Sequence, residues 1–506
     1  ISLPPNTCTL IVGAGPTGLA TALSLIHHGF RDFVIVDAIN KGEGTSRALL
    51  IHAATMEAMD MIGCADELVA EGTKMPPFTL ATRSTAIARF PYELLKPYTR
   101  HPYGLVIPQM LTEHVLEQKL ASFGVTVHRP YRVIGMKPNS NNARLADVTF
   151  EGGQVITAKY IIGADGARST IRTIAGINFV DPSKEDNITT LTQAAQADVT
   201  FDDENLDGSR ARGVMHPENF FFWMSFPTTF NEYLANKTGK TVKGRIFRIA
   251  AGVPMDDGNG SHSPSKEYLQ NLVNTYGPIE LSSDPSVNPS CRSVRIKDIV
   301  WCSRFRTHSF IADTFFTRLP IGNSLDSKGA AILLVGDAAH IHSPAGGQGM
   351  NLGLRDAIFL GEVFTKHINA AEMKPLSDAD TILTSFVTER RSRALEVIRF
   401  TKRLLSIARV QDESVAWWLP ISKVVLRDFF LSVLGSVWFL QRRVTWNEWL
   451  GSEIDLSPSF VCFYTLPRGA NVCTPSYVLW SSYCMMVPCW HLSSCTPSCI
   501  PFYTWC

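Results

Sequence analysis

A glycine-rich turn between two apolar runs constrains the fold of this chain more than any other feature. Residues 9–12 form a short apolar run that leads into the spacing Gly13-x-Gly15-x-x-Gly18. A segment with helical apolar spacing follows, and a second apolar run ends at Asp37. Strands that are apolar on both faces are typical of parallel sheets buried between helices. The pattern predicts a βαβ unit within an α/β fold.

The three glycines and the acid that follows fit the recognition of a dinucleotide. Gly13 permits the tight turn, Gly15 lets backbone amides approach a pyrophosphate, and Gly18 permits close packing of helix on strand. The helix N-terminus attracts the phosphate charge. Asp37 is placed to accept from a ribose hydroxyl and disfavours a 2′-phosphate. These residues indicate an ADP moiety, such as that of FAD or NAD. The alternative is a purely structural glycine-rich turn.

Two later segments narrow the choice of dinucleotide. The first is an Asp-Gly segment at 163–172, which follows an apolar run at 155–162. The second starts at Gly336-Asp337, after another apolar run, and continues to a loop at 344–351. Together with the first glycine motif, in this order and spacing, they resemble the single-component FAD-dependent aromatic hydroxylases, the phenol and p-hydroxybenzoate monooxygenase family. The resemblance covers roughly residues 7–400.

This resemblance assigns cofactor roles to individual positions. It implies that Arg47 lies along the phosphates and ribityl chain of FAD, that Gln109 contacts the ribityl chain, and that Asp337 binds the ribityl hydroxyls. Asp165 is associated with both FAD and the passing nicotinamide. The loop at 344–351 would bring backbone amides towards the flavin N1/C2 carbonyl edge, where negative charge accumulates on reduction. The implied cofactor-binding residues are Gly13, Gly15, Gly18, Asp37, Arg47, Gln109, Asp165, Asp337, Gly347, Gly349, Met350 and Asn351.

The activity implied is hydroxylation of a phenolic or aromatic small molecule. In the family NAD(P)H reduces FAD, O2 adds to give a flavin C4a-hydroperoxide, and the distal oxygen passes to an electron-rich substrate carbon. No second dinucleotide-binding pattern is present, so NADPH or NADH is expected to visit transiently, and the sequence does not choose between them. Two alternatives stay open: epoxidation or Baeyer–Villiger-type oxygenation of a non-phenolic natural product, and a catalytically silent FAD-binding protein.

The group that would activate the substrate differs from that of relatives. Phenol hydroxylases often carry an acid two residues after the position of Arg47, where this chain has Leu49. His52 lies close by, and an imidazole with the ordinary pKa of ~6.5 could deprotonate a phenol. The alternative is that His52 packs against the flavin. His52 is the candidate catalytic residue.

A run of aromatic residues at 220–226 indicates an apolar substrate. Whichever alternate set faces inward is mostly apolar. The run contains no arginine that could clamp a carboxylate, although Arg245 or Arg248 on the next strand could do so. The alternative is that these aromatics are ordinary sheet core. The predicted substrate-binding residues are Phe222, Met224 and Phe226.

Changes in pattern along the chain predict its domains. Between about 184 and 300, short aromatic and β-branched runs, including neighbouring strands at 220–226 and 244–253, replace the βαβ pattern. The expected fold is α/β, a discontinuous Rossmann-like FAD domain with an inserted mixed β-sheet substrate domain and C-terminal helices. The predicted segments are 1–183 and 300–379 for FAD, 184–299 for substrate, 380–455 for the helices and 456–506 for an atypical Cys/Pro/Trp-rich tail.

Composition limits the partners and the compartment. Lys and Arg total 47 against 46 Asp and Glu, so no net field attracts nucleic acid, and no such partner is expected. Four widely spaced cysteines before the tail are typical of reduced thiols in a cytosolic enzyme. The chain opens at Ile1 with neither Met nor a signal pattern, so we expect a truncated or processed soluble cytoplasmic protein. Trp417-Trp418 are expected in the core or on a homodimer face.

The tail at 456–506 has a different composition from the rest of the chain. Its one formal charge is Arg468, and prolines interrupt its apolar stretches, so no membrane-spanning helix is predicted. We expect it to be a gene-model artefact such as translated intron, and a transcript that encodes it in frame would contradict this. Its cysteines lack a convincing paired set, and His340 and His342 lack a third ligand, so no metal site is predicted.

Overall fold

The structure of the 506-residue chain is a computed structural model. Its described residues all fall within one compact unit, 1–454. The predicted tail at 456–506 and Trp417-Trp418 are not among the described residues. The described residues are 3–40, 47–182, 192–217, 219–239, 241–253, 263–321, 329–408, 410, 414–416, 419–437 and 440–441.

Strands and helices alternate through the first half of the chain, and helices dominate its end. The strands are β1 (Asn6–Val12), β2 (Phe33–Val36), β3 (Leu50–Ile51), β4 (Thr73–Lys74), β5 (Phe78–Ala81), β6 (Ala86–Phe90), β7 (Leu105–Val106), β8 (Val133–Pro138), β9 (Ala146–Phe150), β10 (Val155–Gly163), β11 (Phe179–Val180), β12 (Thr192–Phe201), β13 (Ala211–Met215), β14 (Phe220–Ser225), β15 (Phe247–Val253), β16 (Ile296–Thr307), β17 (Phe310–Ala312), β18 (Phe316–Arg318), β19 (Ala331–Leu334), β20 (His340–Ile341), β21 (Ser414–Ala416) and β22 (Leu419–Ser422). The α-helices are α1 (Pro16–His27), α2 (Ala53–Met61), α3 (Ala65–Glu71), α4 (Gln109–Ser122), α5 (Thr170–Ile174), α6 (Thr229–Thr238), α7 (Lys266–Tyr276), α8 (Gln348–Met373), α9 (Leu376–Ala408) and α10 (Lys423–Ser436).

The first large sheet contains the predicted βαβ unit. Its strands follow the order β18-β19-β10-β1-β2, and β9 and β8 extend from β10. The four strands β19, β10, β1 and β2 are parallel, and their C-terminal ends are aligned: Val12 pairs with both Val36 and Gly163, and Gly163 pairs with Leu334. The turns that follow these four strands therefore meet at one edge of the sheet.

Helices α1 and α8 pack closely against each other beside this sheet. The Ser24 hydroxyl donates to the Ile358 carbonyl at 2.5 Å. A Cβ atom at Gly361 would lie only 2.8 Å from the Ser24 carbonyl oxygen, so glycine is required for this approach. A Cβ at Gly353, near the start of α8, would lie 2.7 Å from the Thr17 hydroxyl oxygen, so the starts of the two helices are close together.

The second large sheet has the order β16-β12-β15-β14-β13-β5-β6. The predicted pairing of neighbouring antiparallel strands at 220–226 and 244–253 is confirmed, because β14 and β15 pair antiparallel. Two strands of this sheet come from the segment predicted to belong to the FAD domain. β5 and β6, between residues 78 and 90, join this sheet through a parallel pairing of β5 with β13, although they lie inside the segment 1–183.

The C-terminal region is helical with one interruption. Between α9 and α10 the strands β21 and β22 pair antiparallel, where the sequence predicts continuous helix. Pro420 lies in β22, and a proline without an amide hydrogen disfavours a helix interior. The predicted α/β fold with an added mixed sheet and C-terminal helices is confirmed. Within the described residues, no helix has both the length and the apolar content to cross a bilayer.

Candidate active site

Two of the three glycines in the first turn are required by backbone packing, and the third faces open space. Gly13 has φ +105°, and a Cβ there would lie 2.3 Å from the Ala164 carbonyl oxygen. A Cβ at Gly18 would lie 1.9 Å from the carbonyl oxygen of Gly13. At Gly15 a Cβ would meet no protein atom within 4 Å. This division matches the predicted roles, in which Gly15 leaves room for a pyrophosphate.

Two helices begin at this edge of the sheet. Helix α1 is preceded by Gly15, and helix α8 by Gly347 with φ +64°, and neither start has a side-chain cap. The first amides of a helix have no partner within the helix and carry partial positive charge. The two starts can therefore bind phosphate and carbonyl oxygens.

The predicted ribose acid belongs to a connected set of polar groups. Asp37 accepts from the amide of Ala14 at 2.6 Å, which ties it to the glycine turn. Its charge also acts on Glu113, a residue that the sequence analysis did not identify. Burial raises the pKa of Glu113 to about 7, and the charge of the Asp37 carboxylate adds to this rise. The hydrogen bond from Gln109 Nε2, at 2.9 Å, opposes the rise. Gln109 and Glu113 are four residues apart on α4, and this spacing is the signal that the sequence contains.

Arg47 and Asp337 lie near each other at the edge of the sheet where the strand ends meet, in the region that we call the cleft. The amide of Arg47 donates to Gln109 Oε1 at 3.3 Å. Burial among protein atoms raises the pKa of Asp337, and the charges of His340 and Arg47 oppose that rise, which places the Arg47 guanidinium near the carboxyl. The Asp337 residue is nevertheless accessible to solvent. The carboxyl is thus partly enclosed by protein and still open to solvent.

The side-chain oxygens of Asp165 accept hydrogen bonds at the start of α5. It accepts from the Ser169 hydroxyl at 2.5 Å and from the amides of Thr170 and Ile171 at 2.7 and 3.1 Å. Arg172 on α5 joins this helix to the turn after β19, because its Nη1 donates to the Ala338 carbonyl at 2.8 Å. The Asp-Gly segment therefore supports the turn that carries Asp337, and direct contact of Asp165 with FAD or nicotinamide stays a prediction.

His52 and Asn351 join strand β3 to the loop before α8. The His52 amide donates to Asn351 Oδ1 at 2.8 Å, and Asn351 Nδ2 donates to the carbonyls of Leu50 and Gly347 at 2.9 and 2.8 Å. The His52 ring contacts the Gly346 carbonyl through Nε2 at 2.9 Å. Both side chains are buried. The contacts make them supports of the loop that the resemblance places against the flavin.

The other predicted residues of this loop lie at the start of α8. A Cβ at Gly349 would meet its nearest neighbour, His342 Cε1, only at 3.9 Å, so this glycine borders open space. Met350 is partly buried and packs against the main apolar core. Nε2 of His342 and Nδ1 of His340 are buried and have no hydrogen-bond partner among the described residues. A ligand in the cleft is one way to satisfy such atoms.

We expect His52→Gln to flatten the pH dependence of stability in acid. Burial lowers the pKa of His52 to about 3, against the opposing effect of the bond to Gly346. The unfolded chain binds a proton near pH ~6.5 that the folded chain does not bind, so wild-type stability falls as the pH falls from that value towards 3. The variant should lose less free energy of unfolding, by up to about 1.4 kcal/mol per pH unit. Urea unfolding at pH 7 and pH 5 measures this, and equal losses in both proteins would contradict it.

The predicted substrate residues lie on the face of the second sheet that meets strand β3. Met224 and Phe226 are 1% and 5% exposed and pack in one apolar cluster with Leu50 and Ala53, which flank the position of His52. Phe222 is partly buried and packs against the same cluster. The alternate residues of β14 belong to a different cluster on the other face. Contact of these three residues with substrate stays a prediction.

Neither arginine suggested as a carboxylate clamp is available for that role. Arg248 is fully buried and pairs with Asp198 through two bonds, so its guanidinium is already neutralised. Arg245 is exposed and packs beside Gly208. The Arg248 guanidinium is therefore not free to clamp a carboxylate on the substrate.

These features fit a bound FAD. The cleft combines two uncapped helix starts with the open space at Gly15, and the unpartnered nitrogens of the two histidines belong to the segment between Asp337 and the loop at 344–351. Next to Asp37 along the chain, Ala38 lines a pocket together with residues that include Arg129 and Tyr131. The donors match phosphate and flavin oxygens, and the glycines leave space for a ring.

Fold and site together define a dinucleotide-binding flavoprotein domain. Residues 6–230 and 298–401 match the family model of an FAD binding domain, and this is more than half of the chain. The chain therefore belongs to the FAD-binding domain family. The break in the match, at 231–297, falls within the region of the second sheet and its helices.

Curated relatives and solved structures agree with this assignment. The 12-dehydrotetracycline 5-monooxygenase/anhydrotetracycline 6-monooxygenase of Streptomyces rimosus subsp. rimosus is 29% identical over 398 residues, which cover 78% of this chain and 68% of that protein. Rifampicin monooxygenase of Rhodococcus hoagii is 30% identical over 397 residues, 78% of this chain and 70% of that protein. The structure of OxyS anhydrotetracycline hydroxylase from Streptomyces rimosus covers 89% of this chain and 76% of its own, with TM-score 0.61 and 25% identity. The predicted enzyme class, an FAD-dependent monooxygenase, is confirmed.

Proposed function

We propose that this monooxygenase hydroxylates an apolar phenolic or aromatic compound, with NADH or NADPH as transient donor. The observation that supports it most is the position of one apolar face, formed by Phe222, Met224 and Phe226, against the strand that precedes His52. His52 in turn holds the loop that the resemblance places beside the flavin. An apolar wall next to that loop suits an uncharged aromatic ring and excludes water from it.

The chain's own residues bind and orient, and FAD supplies the redox chemistry when bound, taking a hydride from the donor and activating O2. The turn at Gly15 and the start of α1 would bind the pyrophosphate. Arg47 and Asp337 would hold the central part of the cofactor within the cleft. The start of α8 would stabilise negative charge on the flavin ring.

His52 is proposed as a support of the flavin loop and not as the base that deprotonates the substrate. Its pKa of about 3 makes the imidazole neutral at pH 7 and a weak acceptor for a phenol proton, whose ordinary pKa is ~10. Its Nε2 lies 2.9 Å from the Gly346 carbonyl, which indicates the tautomer with hydrogen on Nε2.

Oxygen labelling tests this function. The FAD-loaded protein is assayed against a panel of uncharged phenols for substrate-stimulated NADH and NADPH oxidation, under ¹⁸O2, with mass spectrometry of the product. We expect one labelled oxygen in a new ring hydroxyl. A labelled ester or epoxide would favour the Baeyer–Villiger or epoxidation alternative. A yellow protein whose NAD(P)H oxidation no phenol stimulates would contradict the proposal and favour the silent FAD-binding protein.

Compartment and association are proposed from the sequence and from the state of the cysteines. The cysteines among the described residues are free, as expected of a protein from the reducing cytosol. A homodimer is proposed from the sequence alone, since Trp417-Trp418 lie outside the described residues. Light scattering of the purified chain distinguishes a dimer from a monomer.

A further inference from the structure

A buried ion pair joins two central strands of the second sheet. Asp198 on β12 and Arg248 on β15 are directly opposite in register, and both are 0% exposed. Arg248 donates to the carboxylate twice, from Nη2 to Oδ2 at 2.9 Å and from Nε to Oδ1. Its guanidinium carbon lies 5.1 and 5.2 Å from the ring centroids of Phe226 and Trp301. The pair is thus shielded from water and held in one geometry.

The same guanidinium has a third contact outside the sheet. Arg248 Nη1 donates to the carbonyl of Arg47 at 2.8 Å, and Gln196 Nε2 donates to that oxygen at 3.1 Å. The amide of Arg47 donates in the opposite direction, to Gln109 Oε1. The backbone of Arg47 is therefore held on both sides, while its side chain is exposed and close to Asp337.

Stability alone gives little reason for such a pair. Two buried charges lose their hydration, and replacing them with apolar residues of similar volume is often neutral or stabilising. The contact with Arg47 supplies a reason of another kind, because a desolvated charged donor makes a strong, directional hydrogen bond. Phe226, predicted to contact substrate, covers the same guanidinium.

We propose that Asp198, Arg248 and Gln196 are positioning residues that fix the carbonyl of Arg47 and thereby set where its side chain stands along the FAD. This rests on the proposed cofactor role of Arg47. None of the three needs to touch FAD. The second sheet would then contribute to cofactor affinity through one backbone oxygen.

FAD affinity in two backgrounds tests this. The double variant Asp198→Leu/Arg248→Met leaves no unpaired charge, and Gln196→Leu removes only the second donor. We expect the dissociation constant of FAD, from quenching of its fluorescence, to rise about tenfold in the double variant and about threefold in Gln196→Leu. In an Arg47→Ala background, which keeps the carbonyl and removes the side chain, the same changes should have no further effect. Thermal unfolding of the FAD-free proteins checks that each one folds, and Gln196→Leu keeps the test decisive if the double variant does not.

The matched control is another ion pair of the second sheet. Arg212 on β13 pairs with Glu280, so Arg212→Met/Glu280→Leu disturbs the sheet without altering the contact to Arg47. We expect its FAD dissociation constant to stay within twofold of wild type. Equal effects of the Asp198/Arg248 change with and without Arg47, or wild-type affinity in Arg47→Ala alone, would overturn the inference. Failure of the unaltered chain to bind FAD would instead contradict the cofactor assignment.

Discussion

Replacing Gly15 with alanine is expected to weaken FAD binding at least tenfold while the FAD-free protein stays as stable as wild type. The conformation of Gly15, φ −72° and ψ −175°, is one that alanine adopts, and an added Cβ would meet no protein atom within 4 Å. The new methyl group would instead occupy the space where the resemblance places the pyrophosphate. Tenfold corresponds to about 1.4 kcal/mol of binding free energy. Fluorescence titration with FAD and thermal unfolding without it measure the two quantities.

Gly18→Ala is the matched control, and it is expected to lower the stability of the FAD-free protein. Its Cβ would lie 1.9 Å from the Gly13 carbonyl oxygen, so the turn must shift and the FAD-free protein should itself be destabilised. Wild-type FAD affinity in Gly15→Ala would show that the glycine turn does not face the cofactor.

The second large effect is expected from Asp356→Ala. Asp356 on α8 is buried and bonded to Arg390 Nε at 2.7 Å and to His340 Nε2 at 2.6 Å. Its removal leaves a buried guanidinium without this partner, a change that typically lowers the free energy of unfolding by about 3–5 kcal/mol. Urea unfolding should show a lower midpoint with an unchanged slope.

The pH dependence of this contribution has a definite sign. Burial alone would raise the pKa of Asp356, but Arg390 and His340 together hold it below its ordinary value of 3.8. The contribution to stability is therefore present at neutral pH and is lost only as the pH falls below that value. The exposed pair of Glu362 with Lys366, on the same helix, gives the control. Glu362→Ala should change stability by less than about 1 kcal/mol, and a similar loss in both variants would contradict the account.

The sequence was sufficient for the parts of the site that depend on backbone conformation. Gly13 and Gly18 are required by turn geometry and close packing, and Gly15 leaves open space beside the turn, so the spacing could be read without a structure. The strand ends at Asp37 and Asp337 were identified for a similar reason, since buried parallel strands have a distinctive apolar pattern. Their convergence follows from the rule that parallel strands end at one edge of the sheet.

Contacts that depend on the pairing of distant strands could not be read in this way. Asp198 and Arg248 are opposite each other only in one register of β12 and β15, and no local pattern fixes that register. The pairing of β5 with β13 joins strands more than a hundred residues apart. The sequence accordingly allowed Arg248 as one of two arginines that could clamp a carboxylate, whereas its guanidinium is bound to Asp198 in the structure.

Hydrogen–deuterium exchange with and without FAD tests the central claim most directly, because it reports on each of the three segments separately. If one FAD binds where the strand ends meet, its addition should slow exchange together in the glycine turn at 13–18, in the segment around Arg47 and in the turn and loop at 337–351. Slower exchange in only one of these segments, or in none of them, would show that they do not form a common cofactor site.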